Sequence, residues 1–419
     1  MKILHVNAAY WPFPGGAEVY VQEISERLVQ DGNEVTVLTT DAGSVEHFWA
    51  RGKARLENTK EIHNGVEIYR CRVAHLPLAP YSFYLLRRGA IELSHLPWDT
   101  TSLLRFLSRF MPWVPDLAQT LESLGSSFDL VHGINISLEY PLIEALRFAR
   151  RHHLPFIATP FFHAGEPHDD HVRRYYTMRH QIEALRESDL VLVQTDIEGN
   201  LISNMGVSPQ RIRKVGLGVE PSRVQGGSEE RFRERHNISG PIVAFIGTAT
   251  YDKGAIHLVE AMSHLWAREN PATLVFIGSV VHEFNRYYAR VLDEVRRRTR
   301  VLGVVTEEEK QDLLAASSVV VLPSRVDSFG IVYLEAWANR KPVIGARAGG
   351  IPEVITDGED GLLVPFGDIK RLSEAIGLLL EDDNLASRLG ENGLRKTMRL
   401  YTWDAIYRKV KGIYEELIA

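Results

Sequence analysis

VVVLPSRVDSFGIVYLEAWANRKPVIGARAGGIPEVITDGEDGLLVP, residues 319–365, carries the pattern that decides the fold. It opens on an apolar, β-branched run at 319–322 that reads as a buried strand and stops at Pro323-Ser324. A polar loop follows. The spacing of Ile331, Val332, Leu334, Ala336 and Trp337 then predicts a helix beginning near Ser328 or Phe329. A second strand at 342–345 runs into Gly349-Gly350 and another helix, with Pro352 at its start. Strand, loop, helix, strand is the repeating unit of a parallel sheet. A strand that ends at a helix N-terminus leaves unpaired backbone N–H groups facing outward, and those groups attract an anion, usually phosphate. Asp327 and Glu335 bracket that N-terminus. On a fully helical span they would stand about 12 Å apart, at roughly 1.5 Å per residue. That suits two contacts on one elongated ligand and not a shared proton.

The same alternation runs along the chain. In the first half, strands are expected at 3–7, 34–39, 66–70, 130–131, 156–159 and 190–194, with helices at 17–31, 137–152 and 172–188. A fresh series starts at 242–247 and continues at 274–278, 319–322, 342–345 and 361–364. The first strand of each series runs into a glycine-containing loop and a helix. Between the series, 218–240 contains Gly226-Gly227-Ser228 and a charged stretch, which reads as a linker. The chain thus reads as two doubly wound α/β domains with a cleft between them, and such sheets bind ligands beyond the carboxyl ends of their strands. One segment interrupts the alternation: 75–121 is aromatic, proline-punctuated and partly basic. An insertion of that length is usually functional or mobile. It is read first as a helical layer on the sheet of its own domain. The second reading is an anionic membrane interface met by its aromatics with Arg87, Arg88, Arg105 and Arg109.

A chain of 419 residues accommodates two domains of ordinary size. Its 45% apolar and 24% charged residues describe a globular protein, and a net charge of −6 argues against nucleic acid as the main partner. The single cysteine, Cys71, forms no intrachain disulfide and fits a reducing compartment; it reads as a small strand residue on the way to a core. No run approaches about 20 apolar residues, and the opening MKILHVN reads as a strand rather than a leader. The expected location is the cytoplasm, with at most peripheral contact with the inner membrane face.

Several loops carry the candidate chemistry. Gly15-Gly16-Ala17-Glu18 follow the first strand and the aromatic loop Tyr10-Trp11-Pro12-Phe13-Pro14. The glycines would let backbone approach a ligand at the positive end of a helix, although a plain strand-to-helix turn explains the same residues. The pattern is not GxGxxG. His163 lies just past a strand end, in a patch with His168 and His171; it reads as a cleft residue, a loop residue or a metal ligand, in a spacing that matches no Cys/His zinc pattern. Lys253 closes the loop Gly247-Thr248-Ala249-Thr250-Tyr251-Asp252-Lys253-Gly254, where a lysine reaches phosphate oxygens as a mobile charge or stays solvated. It is not a Walker A motif. Asp327 has an ordinary alternative as a helix N-cap. Glu335 sits on an otherwise apolar helix face and needs partners, and a ribose diol offers two donors. Gly349-Gly350 reads equally as a structural turn and as an anion-facing one.

In this order and spacing, Gly15-Gly16, His163, Gly247 to Lys253-Gly254, Asp327 to Glu335 and Gly349-Gly350 resemble the family 4 (group 1) retaining glycosyltransferases of GT-B fold. The resemblance covers nearly the whole chain, and the helix at Tyr401-Thr402-Trp403 is similar to the segment that crosses back to the first domain in that family. It implies two Rossmann-like domains facing across a deep cleft: 1–218 on the acceptor side, completed by about 403–419, and 219–402 on the donor side. It implies catalytic roles for His163, Lys253 and Asp327, and donor contacts from Gly15, Gly16, Thr248, Phe329, Gly330, Ile331, Val332 and Glu335. Glu335 would hold the ribose hydroxyls, the amides from Gly330 to Val332 and Gly16 would meet the diphosphate, and Lys253 would neutralise the departing phosphate. The backbone carbonyl of His163 would face the anomeric carbon. The implied reaction moves a hexose-type sugar from a nucleotide-diphosphate sugar to a hydroxyl on a glycan, lipid-linked or small-molecule acceptor, with no metal or other cofactor. Two positions depart from the family pattern: Thr248 stands where arginine is usual, and Asp327 where glutamate is usual. Arg325 and Arg347, on neighbouring loops, are candidates to supply the missing charge. The departures keep open a binding or scaffold protein with reduced catalysis, and a GT-B nucleotide-sugar epimerase is the other alternative. A glycogen-type phosphorylase is disfavoured, because no cofactor-lysine motif is present.

Overall fold

Short apolar runs buried on both faces are the material of parallel strands, and here they build two sheets. The computed structural model describes every residue from Met1 to Ala419 except Pro14 and Pro167; Pro14, in the aromatic loop noted above, therefore lies outside the described residues. The first sheet contains β1 (Lys2–Val6), β2 (Glu34–Thr40), β3 (Lys60–His63), β4 (Val66–Cys71), β5 (Leu130–Ile134), β6 (Phe156–Thr159), β7 (Leu190–Val193) and β8 (Ile212–Lys214). Its spatial order is β3-β4-β2-β1-β5-β6-β7-β8. All neighbours are parallel except the β3–β4 hairpin. The second sheet contains β9 (Ile242–Ile246), β10 (Thr273–Ile277), β11 (Thr299–Gly303), β12 (Val319–Leu322), β13 (Val343–Ala346) and β14 (Leu362–Val364), in the order β11-β10-β9-β12-β13-β14 and parallel throughout.

The chain divides into two compact units. One comprises Met1–Phe162, His171–Val215 and Tyr407–Ala419; the other comprises His163–Asp170 and Gly216–Ile406. The eight residues 163–170 thus belong with the second sheet, although 1–218 had been read as one continuous domain. Long-range bonds explain the difference: the Gly349 N–H donates to Gly165 O, and Arg325 pairs with Glu166.

Three further expectations change, and the first reading of 75–121, a helical layer, agrees with its helices. The stretch 218–240 is not a plain linker but holds helices Pro221–Val224 and Glu229–His236. Ser228 caps the longer one, and Asp312 grips Arg231 through both carboxylate oxygens at 2.6 Å. The helix expected at 172–188 starts only at Arg179, after a 3-10 turn at Arg173–Tyr175, because the Gln181 side chain caps the Met178 amide. Strands β3, β8 and β11 were not foreseen. The signal for β3 was present in Asn64-Gly65, both at positive φ, the pairing that a two-residue hairpin turn favours. Finally, 75–121 folds into helices Tyr81–His95, Thr101–Leu107 and Leu117–Ser123. Ala90, Ile91, Leu104, Met111 and Met178 form a small core there. Arg87 is buried inside it: Nη1 holds Glu139 at 2.6–2.7 Å, His180 Nε2 contacts the same carboxylate at 3.0 Å, and Nη2 donates to the Ser137 and Tyr175 carbonyls. It therefore takes no part in a surface charge. Arg105 is likewise paired, with Glu187.

The first unit closes around the last helix, Trp403–Ile418, which belongs to it from Tyr407 onward. Tyr414 is fully buried, and its hydroxyl lies 3.1 Å from His5 Nε2 and 2.5 Å from His132 Nδ1. Ser25 and Thr159 take the remaining ring nitrogens at 2.7 Å each. Burial pushes His5 down to about 3 and His132 well below the usual range, so both rings are neutral. At the surface, Asp31 accepts from Tyr407 Oη and Lys411 Nζ. Removing the Tyr414 hydroxyl strands two buried imidazole nitrogens. Tyr414→Phe is expected to destabilise this unit by about 1–3 kcal/mol, read by equilibrium urea unfolding; an unchanged midpoint would refute the role.

Candidate active site

The second sheet reverses its winding between β9 and β12, and such a switch point opens a crevice beyond the carboxyl ends of the two strands. The loops that leave those ends are the ones singled out in the sequence. From β9 the chain runs through Gly247 and Thr248 to Lys253, and helix Ala255–Trp266 begins directly behind Gly254. From β12 it runs through Arg325 and Asp327 to helix Ile331–Ala338.

These loops are stitched together. The Arg325 N–H donates to Asp252 O at 2.9 Å, and Lys253 Nζ reaches Asp327 Oδ1 at 2.5 Å. Burial works to raise the Asp327 carboxyl, but Lys253, helped by Ser324 and His163, outweighs it and holds the group below its ordinary range. The other oxygen, Oδ2, is buried and finds no partner within hydrogen-bond geometry, although the Ser324 hydroxyl is close enough to favour the charge. An ion pair with one unmatched oxygen is poised to take another donor.

Asp327 is not a helix cap. The helix starts at Ile331, later than Ser328 or Phe329, and its N-cap is Gly330, at φ 89° and with no side chain to satisfy the first turn. The left-handed turn at Gly330 interrupts the regular spacing between Asp327 and Glu335 assumed for a continuous helix. Without a capping side chain, the amides of Ile331 and Val332 suit an anion. Phe329 is buried with its ring edge-on to Tyr401, so it offers a ligand its backbone rather than its ring. One turn into the helix, Glu335 Oε1 accepts from Lys310 Nζ at 3.2 Å. Lys310 is a partner the sequence did not reveal. Burial lowers its affinity for a proton, but Glu335 and Glu307 outweigh that and raise it.

The loop after β13 completes the floor. Gly349 adopts φ 59°, and a Cβ there would stand 2.2 Å from Asp327 O, so only glycine allows the approach. The Gly350 N–H then donates to that same carbonyl at 3.1 Å.

His163 opens the segment 163–170 of this unit. Burial pushes its imidazole down to about 4, with Asp327 acting upward and Lys253 downward, so the ring is neutral at physiological pH and within electrostatic reach of both. The chain enters the segment under constraint: Phe161 is held at φ 51°, and Glu198 accepts from the Phe162 and Gln194 amides at 2.8 and 2.6 Å. A bulky residue in the left-handed region is a costly conformation, and such strain clusters at functional sites. Glu198 also escaped the sequence reading, because its partners are backbone. His168 and His171 are exposed, and among the described residues no group of three or more His, Cys, Asp or Glu is gathered for a metal ion.

Gly15 and Gly16 lie in the first unit, where Gly15 is the N-cap of helix Gly16–Gln30 and leaves room for the folded-back Glu18 carboxylate. Burial raises Glu18 to about 7. Arg325 and Arg347 do not stand free as substitute cations for the arginine missing at Thr248. Arg347 pairs with Asp357, and Arg325 with Glu166 and Asp252.

Two family models match the chain: "Glycosyl transferase 4-like domain" over residues 15–218 and "Glycosyl transferases group 1" over residues 228–396. This chain is a group 1 glycosyltransferase. Its relatives include the MMP alpha-(1->4)-mannosyltransferase of Mycolicibacterium hassiacum, 26% identical over 97% of this chain and 95% of the relative. Another is the D-inositol 3-phosphate glycosyltransferase of Corynebacterium glutamicum, 25% identical over 97% and 92%. Among solved structures, sucrose-phosphate synthase of Thermosynechococcus elongatus superposes with a TM-score of 0.76 at 20% identity, covering 100% of this chain and 99% of that one. HepE of Anabaena, solved with UDP and glucose, gives 0.72 at 16%, with 99% of each chain covered. The two parallel-sheet units of this glycosyltransferase have the GT-B fold.

The surroundings of His163 make a checkable expectation. Its folded pKa of about 4 lies below the ordinary 6.5, so the unfolded chain takes the proton first and stability falls as pH drops from 6.5 towards 4. In imidazole NMR titrations, Lys253→Met should move the His163 midpoint up and Asp327→Asn should move it down. A midpoint indifferent to both would separate His163 from the pair.

Proposed function

We propose that this glycosyltransferase moves a hexose-type sugar from a nucleotide-diphosphate sugar to an acceptor hydroxyl with retention of anomeric configuration and without a metal. The observation that carries the reading is the convergence of Lys253, Asp327 and His163 at the switch point, beside a helix N-terminus with no side-chain cap. Departure of a nucleoside diphosphate builds negative charge on the leaving phosphate and positive character on the sugar. Lys253 and the first-turn amides of Ile331 and Val332 answer the first. The neutral ring and backbone carbonyl of His163 offer no positive charge to oppose the second. Asp327 holds Lys253 in place. Glu335, steadied through Oε1 by Lys310, presents Oε2 to the ribose diol. The mannosyl- and inositol-phosphate glycosyltransferases among the relatives, and the binding of UDP by HepE, support a nucleotide-sugar donor. Thr248, with Arg325 and Arg347 both occupied, favours as second reading a slow enzyme that binds donor better than it turns it over.

A panel of UDP-, GDP- and ADP-sugars tests this, with thermal shift reporting binding and mass analysis reporting transfer or donor hydrolysis. Neither signal with any donor would sink both readings. Glu335→Ala should weaken nucleotide binding by about 1.5–3 kcal/mol, and unchanged affinity would remove the ribose role. Retention is read from the anomeric coupling constant of the product, and metal independence from activity in EDTA.

The site on the second unit does not account for one face of the first. Among the described residues no helix is long and apolar enough to cross a membrane. Yet helix Tyr81–His95 turns an apolar stripe outward: Tyr81 is 77% and Leu85 74% exposed, with Tyr84 between them and Leu78, 83% exposed, just before. Trp49 packs on Tyr84 and Phe83, and the loop behind it carries the exposed cations Arg51, Lys53 and Arg55, with Arg88 one turn along the stripe. Apolar side chains flanked by cations suit an anionic lipid surface. This face, without the buried Arg87, is proposed to rest on the inner leaflet of the cytoplasmic membrane. Co-sedimentation with phosphatidylglycerol vesicles should fall at least tenfold in Leu85→Asp or Arg51→Glu/Lys53→Glu, at roughly 1 kcal/mol per basic residue lost. Binding that is absent in the wild type, or unmoved by these changes, would dismiss it.

A further inference from the structure

Arg325 is the most heavily engaged charged side chain near the site, and the proposed chemistry gives it no task. Its side chain is 14% exposed. Nε and Nη2 hold Asp252 Oδ1, each at 2.9 Å, while Nη1 holds Glu166 Oε2 at 2.9 Å and stands 3.7 Å from Asp169 Oδ2. The guanidinium also lies 4.9 Å from the centre of the Phe366 ring and 5.5 Å from that of Tyr251. A planar fork clamped on two edges and flanked by rings is held in one orientation.

The sequence positions of its partners give that orientation a purpose. Asp252 directly precedes Lys253. Arg325 itself lies two residues before Asp327. Glu166 and Asp169 lie on the segment His163–Asp170, which the chain visits between two stretches of the other unit. The same segment is tied a second time, by the Gly349 N–H on Gly165 O at 2.8 Å, next to the Gly350 bond to Asp327 O. One side chain therefore joins the three loops that carry Lys253, Asp327 and His163. Facing three carboxylates, it cannot also serve as the spare cation for a phosphate: its charge is already more than matched.

We infer that Arg325 is a positioning residue that clasps the segment 163–170 through Glu166 and Asp169 and so sets His163 in register with Lys253 and Asp327. The consequence for turnover rests on the transfer reading above; the clasp itself does not. A displaced neighbour should cost rate more than nucleotide affinity, because on this reading the helix Ile331–Ala338 and Glu335, which Arg325 does not touch, hold the nucleotide, and Lys253 keeps its own tie to Asp327.

Arg325→Gln, Arg325→Lys and Glu166→Gln separate these effects in the full-length protein. Amide exchange in peptides spanning 163–170 should quicken at least about tenfold in Arg325→Gln, as for any locally opened segment. The kcat for the donor chosen from the UDP-, GDP- and ADP-sugar panel should fall about 10- to 100-fold, the usual penalty of misplacement. Affinity for the free nucleoside diphosphate, read by calorimetry, should stay within about twofold. Glu166→Gln should reproduce part of the loss, and Arg325→Lys should recover part of it. If nucleotide affinity falls in step with kcat, Arg325 binds phosphate and the clasp is wrong. If exchange over 163–170 is unchanged in both Arg325→Gln and Glu166→Gln, it is also wrong. A wild type that consumes no donor would remove the transfer reading, while exchange would still decide the clasp.

Discussion

A carboxylate enclosed as Asp327 is must find a cation, and Lys253 is the one it finds. Everything near the switch point is arranged around that contact. The pair draws together loops from two neighbouring strands, β9 and β12, whose helices lead away in opposite senses. It leaves a positive and a negative group side by side where a charged ligand would otherwise meet only backbone. Isolated buried charge is expensive, and a pair is tolerable only with further hydrogen bonds. Here Gly349 and Gly350 supply close backbone, and the unmatched Asp327 oxygen waits for another donor.

Nothing in the structure accounts for the departure at Thr248. The charge of Arg325 is spent on loop geometry rather than on ligand.

The fold was legible where periodicity alone decides it. Strands such as 319–322 and 156–159 begin and end where their apolar runs do. The glycine turn at Gly349-Gly350 was legible as well, and at Gly349 only glycine fits the backbone. The failures share a cause. Lys310 with Glu335, Arg325 with Glu166, and Arg87 with Glu139 are pairs separated by 25, 159 and 52 residues, and no local pattern announces them. For the same reason Arg87 looked like surface charge, and 163–170 looked like part of the unit that surrounds it in sequence. The helix start at Ile331 was missed because a left-handed glycine, not a polar cap, begins it.

The final helix has a bearing on how the molecule is made. Tyr414 supplies the last hydroxyl to a network of His5, Ser25, His132 and Thr159, of which His5 lies 409 residues earlier in the chain. Synthesis runs from the amino terminus, so β1 and β5 are made long before the helix that completes the interior between them. Until then the two imidazoles each lack one hydrogen-bond partner in the nascent chain. The protein's order of birth and its order of completion are therefore different.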